Sequence, residues 1–173
     1  MDVSISPVSA ADVDAIAALA RVVWQHTYPG IISQEQIDYM LAQRYQPQLV
    51  LQELQMPHIW WDQLSIDGQL AGFVSCLLGT TAGEMKLDKL YVDPDRQRLG
   101  IGARLVDQVV ARALAAGCTT LILAVNKNNE RAIAAYLRQG FTVRESVCVD
   151  IGSGFVMDDF IMARSLPAGT AGS

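Results

Sequence analysis

A mixed α/β fold (α+β to α/β layers), with about seven strands flanked by about four to five helices, follows from three features of the sequence. Apolar residues recur at helical spacing from Val13 to Leu54. An extended meander then occupies residues 58–92. Residues 84–141 read as strand, helix, strand, helix, the unit that brings parallel pairing into a sheet.

Residues 3–6 suit a short first strand, and Ser9 with Asp12 forms an N-terminal capping pair for the helix that follows. Val13, Ile16, Ala17, Ala20, Val23, Trp24 and Tyr28 share one face of that helix, which Pro29-Gly30 ends. A second helix starts at Ser33, where Gln36 completes a capping box and Ile37, Met40 and Leu41 face inward. Pro47 suits the first turn of a third, carrying Val50, Leu51 and Leu54. Strands follow at 58–66, at 70–78 after an Asp67-Gly68 turn, and at 84–92. Ile101, Leu105, Val106, Val109, Val110, Ala113 and Leu114 give the next helix its apolar face, and Gly117 stops it. The β-branched run at 119–125 reads as a strand buried on both faces. Asn126-Lys127-Asn128-Asn129 caps a helix that Gly140 ends before Phe141, and strands at 142–149 and 155–163 complete the sheet.

At 173 residues the chain suits one domain over 1–166 and a flexible tail over 167–173. Half of the residues are hydrophobic, yet no apolar run has the length that spans a bilayer, so no membrane partner is expected. The amino terminus lacks the basic flank and apolar core of a signal peptide, which points to the cytoplasm. Cys76, Cys118 and Cys148 read as small core residues of a reducing compartment. His26 and His58 show no ligand spacing, so no metal is expected. A net charge of −5 argues against nucleic acid as a partner and suits a cationic amine, although acidity also serves solubility alone.

Chemistry concentrates after the strand ending Leu90-Tyr91-Val92, at Gln97-Arg98-Leu99-Gly100-Ile101-Gly102. Two glycines let main chain approach a ligand closely, and a helix start offers four unpartnered N–H groups at the positive end of its dipole. A diphosphate sits favourably there, with Arg98 and Arg104 adding charge. The segment lacks the Gly-Lys-Ser/Thr of a P-loop, and Leu105 stands where a dinucleotide fingerprint has its third glycine. By itself it fits a plain helix-starting turn equally well.

The linked pattern Gln97-x-x-Gly100-x-Gly102, Val125-Asn126-x-x-Asn129 and Ala132-x-x-x-Tyr136-x-x-x-Gly140-Phe141 resembles the GCN5-related N-acetyltransferase (GNAT) superfamily. At the motif level the likeness spans residues 84–141. The resemblance implies a centrally splayed sheet and an acetyl group moved from acetyl-CoA, the cosubstrate, to an amine. It also implies that Leu90, Tyr91 and Val92 line the pantetheine arm, Leu90 and Val92 pairing with it through main chain as an added strand. Residues 97–102 would hold the diphosphate, and Asn129 would contact CoA or serve only as a helix cap.

Amide formation sets the remaining demands. An alkylammonium of reference pKa near 10.4 must lose a proton before attack, and the CoA sulfur leaves as a thiolate unless an acid protonates it. Tyr136, which the resemblance places in that role, is the candidate acid; the alternative is a ring packed in the core with its hydroxyl bonded. Glu84 and Asp88 are candidate bases acting through water, or solvated strand-end carboxylates. In the last strand, alternation puts either Asp158 or Asp159 on the more apolar face, where a carboxylate would hold an ammonium; charges that protect an edge strand are the competing explanation. Tyr28, in the segment joining two helices, could bracket a cation, or like Trp24, Tyr45, Trp60 and Trp61 pack in the core.

Three function classes remain open at this level: an N-acetyltransferase working by direct attack in a ternary complex, a non-catalytic acyl-CoA sensor or regulatory module, and a phosphate-binding interaction domain. For the first, a small amine or polyamine is the favoured acceptor and a protein N-terminus the other. A second copy of the chain is the one protein partner admitted.

Overall fold

The computed structural model describes residues 1–167, so the tail expected at 167–173 lies, from residue 168 onward, outside the described residues. The strands are β1 (Val3–Pro7), β2 (Ile59–Ile66), β3 (Gln69–Leu78), β4 (Glu84–Val92), β5 (Thr120–Asn126), β6 (Thr142–Gly152) and β7 (Phe155–Ser165). The helices are α1 (Val13–Thr27), α2 (Gln34–Arg44), α3 (Pro47–Leu54), α4 (Ile101–Ala115) and α5 (Glu130–Arg138). Together the strands make one mixed sheet in the order β1-β2-β3-β4-β5-β7-β6. The described residues cluster into two units, Met1–Leu77 with Lys89–Val109, and Leu78–Asp88 with residues 110–167.

In the first unit β1, β2 and β3 pair antiparallel, with a bulge at Leu64/Ser65. The expected capping pair is present, one step earlier than a plain helix start. Ser9 donates its N–H and hydroxyl to Asp12, each at 2.9 Å, across a 3-10 turn that leads into α1. Those bonds, the backbone one foremost, hold the Asp12 carboxyl below the usual carboxylate range. Ile16, Ala20 and Trp24 are buried as their spacing requires, and Leu19 joins them. Ser33 accepts the Gln36 N–H at 3.1 Å to start α2, and Pro47 opens α3.

Aromatic rings fill the centre of this unit. Trp24 stacks on Tyr28 at 4.2 Å, Tyr45 meets Tyr91 edge-on at 5.7 Å, and Phe73 lies 5.4 Å from Tyr91. Lys89 is buried among them at 4 % exposure, its ammonium 3.9 Å from Glu53 and 5.3 Å from the Trp61 ring centroid. Glu53 also accepts the Trp61 indole N–H at 3.1 Å, which ties α3 to β2.

In the second unit β4 begins parallel to β5, from Glu84↔Thr120 to Leu87↔Leu123. β7 pairs antiparallel with β5 on one side and β6 on the other.

Three sequence expectations are corrected here. β5 is buried on one face only: Leu121, Leu123 and Val125 are core, whereas Thr120 and Ile122 are half-buried and Ala124 is exposed. β7 is an interior strand, so edge protection does not explain its aspartates. Cys148 is exposed, unlike buried Cys76 and Cys118, because the outermost strand β6 pairs on a single side. Among the described residues no group of side chains could hold a metal ion, and no helix is long and apolar enough to cross a membrane.

Candidate active site

The glycine turn is pinned before it begins. After β4 the Asp93 N–H donates to the Ala71 carbonyl at 2.9 Å, and Arg96 donates to Gln69 at 2.8 Å, fastening a 3-10 turn over Pro94–Arg96 to β3. The Asp93 carboxylate accepts the Asp95 N–H at 3.0 Å inside that turn. This turn separates strand from glycine segment, where the sequence reading had them adjacent; the Asp93-Pro94 dipeptide is the signal that marks it.

The segment then curls through left-handed backbone at Arg98 (φ 69°) and Gly100 (φ 73°). Arg98, Leu99 and Gly100 are exposed, and a Cβ built at Gly100 would meet no atom within 4 Å. Ile101, 3 % exposed, anchors the first turn of α4, and the Arg104 N–H bonds the Gly100 carbonyl at 3.1 Å. At Gly102 the nearest atom to an added Cβ is Val92 Cγ2, at 3.9 Å. Exposed Gly100 thus stands at the start of α4, where the first N–H groups of a helix lack intrahelical acceptors and favour an anion.

Leu90, Tyr91 and Val92 end β4 in the same unit. The Tyr91 hydroxyl accepts from Tyr45 at 2.7 Å, and burial foremost raises its phenol well above the ordinary value. Trp24, Tyr45 and Phe73 pack around the half-buried Tyr91 ring. Tyr28 closes α1 half-buried, its ring lying on Trp24.

The remaining candidates lie in the second unit. Asn129 caps α5, its side chain accepting the Ala132 N–H at 3.3 Å. Two turns on, Tyr136 is half-buried and edge-on to Phe141 at 5.6 Å. Burial pushes its phenol up to about 12, so it stays protonated across the physiological range. Glu84 opens β4 and accepts Arg144 at 2.7 Å, a short charge-assisted bond; Asp88, further along the strand, lies 3.9 Å from Lys86. The even-numbered side chains Glu84, Lys86 and Asp88 share one face of β4, as alternation required.

The two aspartates of β7 part company. Asp158 is exposed and bonds the Lys127 ammonium at 2.8 Å, with the Phe160 ring 5.6 Å from the same ammonium. Asp159 is 8 % exposed and stands opposite buried Asn126 on β5. Asn126 in turn accepts the Asn128 N–H at 2.9 Å, shaping the loop into α5. Neither the Lys127–Asp158 pair nor the Asn126–Asp159 juxtaposition has a local sequence signal, because each depends on which strand lies beside which.

Residues 20–141 match the Acetyltransferase (GNAT) family, well over half of the chain. The chain belongs to that family. Among its GNAT relatives is the spermidine N(1)-acetyltransferase of Thermoplasma acidophilum, 27 % identical over 162 residues that cover 91 % of this chain and 97 % of that protein. The [ribosomal protein bS18]-alanine N-acetyltransferase of Escherichia coli is 35 % identical over 79 residues, 46 % of this chain and 52 % of that one. Among solved structures, the PaiA N-acetyltransferase of Thermoplasma acidophilum in complex with coenzyme A superposes with a TM-score of 0.83 at 25 % identity, covering 95 % of this chain and 99 % of that one. The GNAT chain is thus an N-acetyltransferase with acetyl-CoA as cosubstrate, rather than the sensor or phosphate-binding domain that the sequence left open.

Proposed function

We propose that this GNAT enzyme acetylates a primary amine, a small amine or polyamine in preference to a protein N-terminus, by direct attack in a ternary complex. The observation that carries the reading is the exposed turn at 97–102, left-handed at Arg98 and Gly100 with no atom within 4 Å of a Cβ added at Gly100, which supports a diphosphate at this turn and main chain of Leu90 and Val92, in the same unit, for the pantetheine arm. The uncovered turn at 97–102 takes the diphosphate, and Asn129 serves CoA beside its capping bond.

The amine nitrogen, once deprotonated, adds to the thioester carbon; the C–N bond forms, and the carbonyl oxygen becomes an oxyanion that main-chain N–H groups stabilise. Collapse breaks the C–S bond and expels the thiolate, toward which Tyr136 donates. One proton of the ammonium goes to the base and the sulfur receives another. Because its phenol titrates near 12, Tyr136 acts as a persistent hydrogen-bond donor to developing charge more than as a strong acid.

Asp88 is the base we favour, through water, because Glu84 is bound to Arg144. Asp88→Asn should lower kcat/KM by about tenfold to a hundredfold and Glu84→Gln by less than about twofold, in initial-rate assays at pH 7.5. Equal effects would withdraw that assignment.

Asp159 is assigned to the substrate ammonium, since a buried carboxylate attracts a cation more strongly than an exposed one such as Asp158. Half-buried Tyr28 is assigned to the apolar stem of the amine. The similarity to a spermidine acetyltransferase supports a polyamine, and the shorter match to a ribosomal-protein acetyltransferase supports an N-terminal amine less. A cytoplasmic location accords with the buried free thiols of Cys76 and Cys118.

The deciding experiment is release of CoA thiol from acetyl-CoA across monoamines, spermidine and N-terminal peptides. Spermidine turnover should lead, and Asp159→Asn should raise its KM about tenfold or more, while Asp158→Asn changes it less than about threefold. Turnover confined to peptides, or a KM indifferent to Asp159→Asn, would reject the acceptor class.

A further inference from the structure

Gly72 lies in β3, outside every motif that drew attention in the sequence, and is buried. A Cβ at this position would stand 2.9 Å from the Tyr91 carbonyl oxygen, 3.1 Å from Ile101 Cγ2 and 3.1 Å from Leu105 Cδ1. The first of these is main chain, which cannot swing aside as a flexible side chain can. The other two belong to the opening turns of α4. Beside Gly72, the Ala71 carbonyl holds the Asp93 N–H at 2.9 Å, so the exit from β4 is fastened to the same stretch of β3. One missing methyl group thus sets how closely the end of β4 and the start of α4 approach β3 together.

We propose that Gly72 is a positioning residue for the cosubstrate: its lack of a side chain fixes the spacing between the Tyr91 carbonyl on β4 and Ile101 at the mouth of α4. The inference rests on the reading that β4 main chain takes the pantetheine arm and the α4 mouth the diphosphate. Those two surfaces must fit one covalently continuous ligand at the same time, so a displacement of a few tenths of an ångström at their common support is felt in affinity for the whole of CoA. Interiors at this packing density transmit such strain rather than absorb it.

Gly72→Ala should raise the dissociation constant for CoA, measured by calorimetry, and the KM for acetyl-CoA by about tenfold, on the scale by which sub-ångström misplacement is felt. The KM for the amine should stay within about twofold. Leu105→Ala is the control: it leaves a cavity at one of the same contacts and lowers the melting temperature, yet leaves the Tyr91 carbonyl and Ile101 in place, so CoA affinity is retained. Should Gly72→Ala fail to fold, the double variant Gly72→Ala/Leu105→Ala relieves one contact and keeps the other two, and the same CoA defect is expected. The inference is overturned if folded Gly72→Ala or the double variant binds CoA within about twofold of the unsubstituted protein, or if Leu105→Ala weakens CoA equally. Absence of CoA binding by the unsubstituted protein would instead remove the reading beneath it, and is told apart by that measurement alone.

Discussion

Tyr136→Phe is expected to lower kcat by about a hundredfold while leaving the dissociation constant of CoA within about twofold, the signature of a donor used only as charge develops. The substitution removes one hydroxyl and keeps the ring that packs edge-on against Phe141 at 5.6 Å, so the fold is undisturbed. Rapid-mixing measurement of the acetyl-transfer step isolates the chemistry from product release. An unchanged transfer rate would leave Tyr136 as a packed core tyrosine.

The same residue makes a pH prediction. Burial raises its phenol from the ordinary 10 to about 12 because the phenolate would be poorly solvated there. The donor therefore persists at pH 10, and a fall in kcat between pH 8 and 10 would have to come from another group. For stability the sign is that of a raised pKa: the neutral phenol's contribution is fully present below pH 10 and is lost as pH rises toward 12. The shift corresponds to about 3 kcal/mol at most, reckoned at 1.36 kcal/mol per pKa unit. Urea unfolding at pH 9 and pH 12 should show a smaller loss in Tyr136→Phe than in the unsubstituted protein.

Gly100→Asp is the second large effect. At φ 73° most side chains are strained, but Asp and Asn tolerate left-handed backbone, and an added Cβ meets nothing within 4 Å. The helix start should therefore survive with a carboxylate placed at the diphosphate. One unit charge about 5 Å away at an effective dielectric near 20 costs about 3 kcal/mol, or about a hundredfold in the CoA dissociation constant. Gly100→Asn, the uncharged isostere, should weaken CoA by less than about fivefold, and added salt should narrow the gap between the two variants. If the variants bind CoA equally, the diphosphate does not lie at this turn.

Elements were legible where a local rule dominates. Pro47 at the first turn of α3, Ser33 as the cap of α2 and Asp67-Gly68 between β2 and β3 act over four residues or fewer, and each stands where its chemistry requires. Gly100 was legible for the same reason, its left-handed backbone standing where the sequence sets a glycine. What the sequence withheld depends on distant neighbours. Ala124 lies in an unbroken apolar run, yet it is exposed between buried Leu123 and Val125. Alternation could separate Asp158 from Asp159 but not say which was buried, because that follows from β7 running between β5 and β6. Gly72 sits in an ordinary strand pattern, and its constraint becomes visible only with Tyr91 and Ile101 beside it.

The interior place of β7 also bears on how the polypeptide is made. β7 follows β5 and β6 along the chain and joins both, so during synthesis those two wait with unsatisfied backbone until residues 155–165 emerge. Premature termination before Phe155 would leave the β7-facing edge of β5 open and β6 with no partner strand, a species suited to chaperone capture or proteolysis.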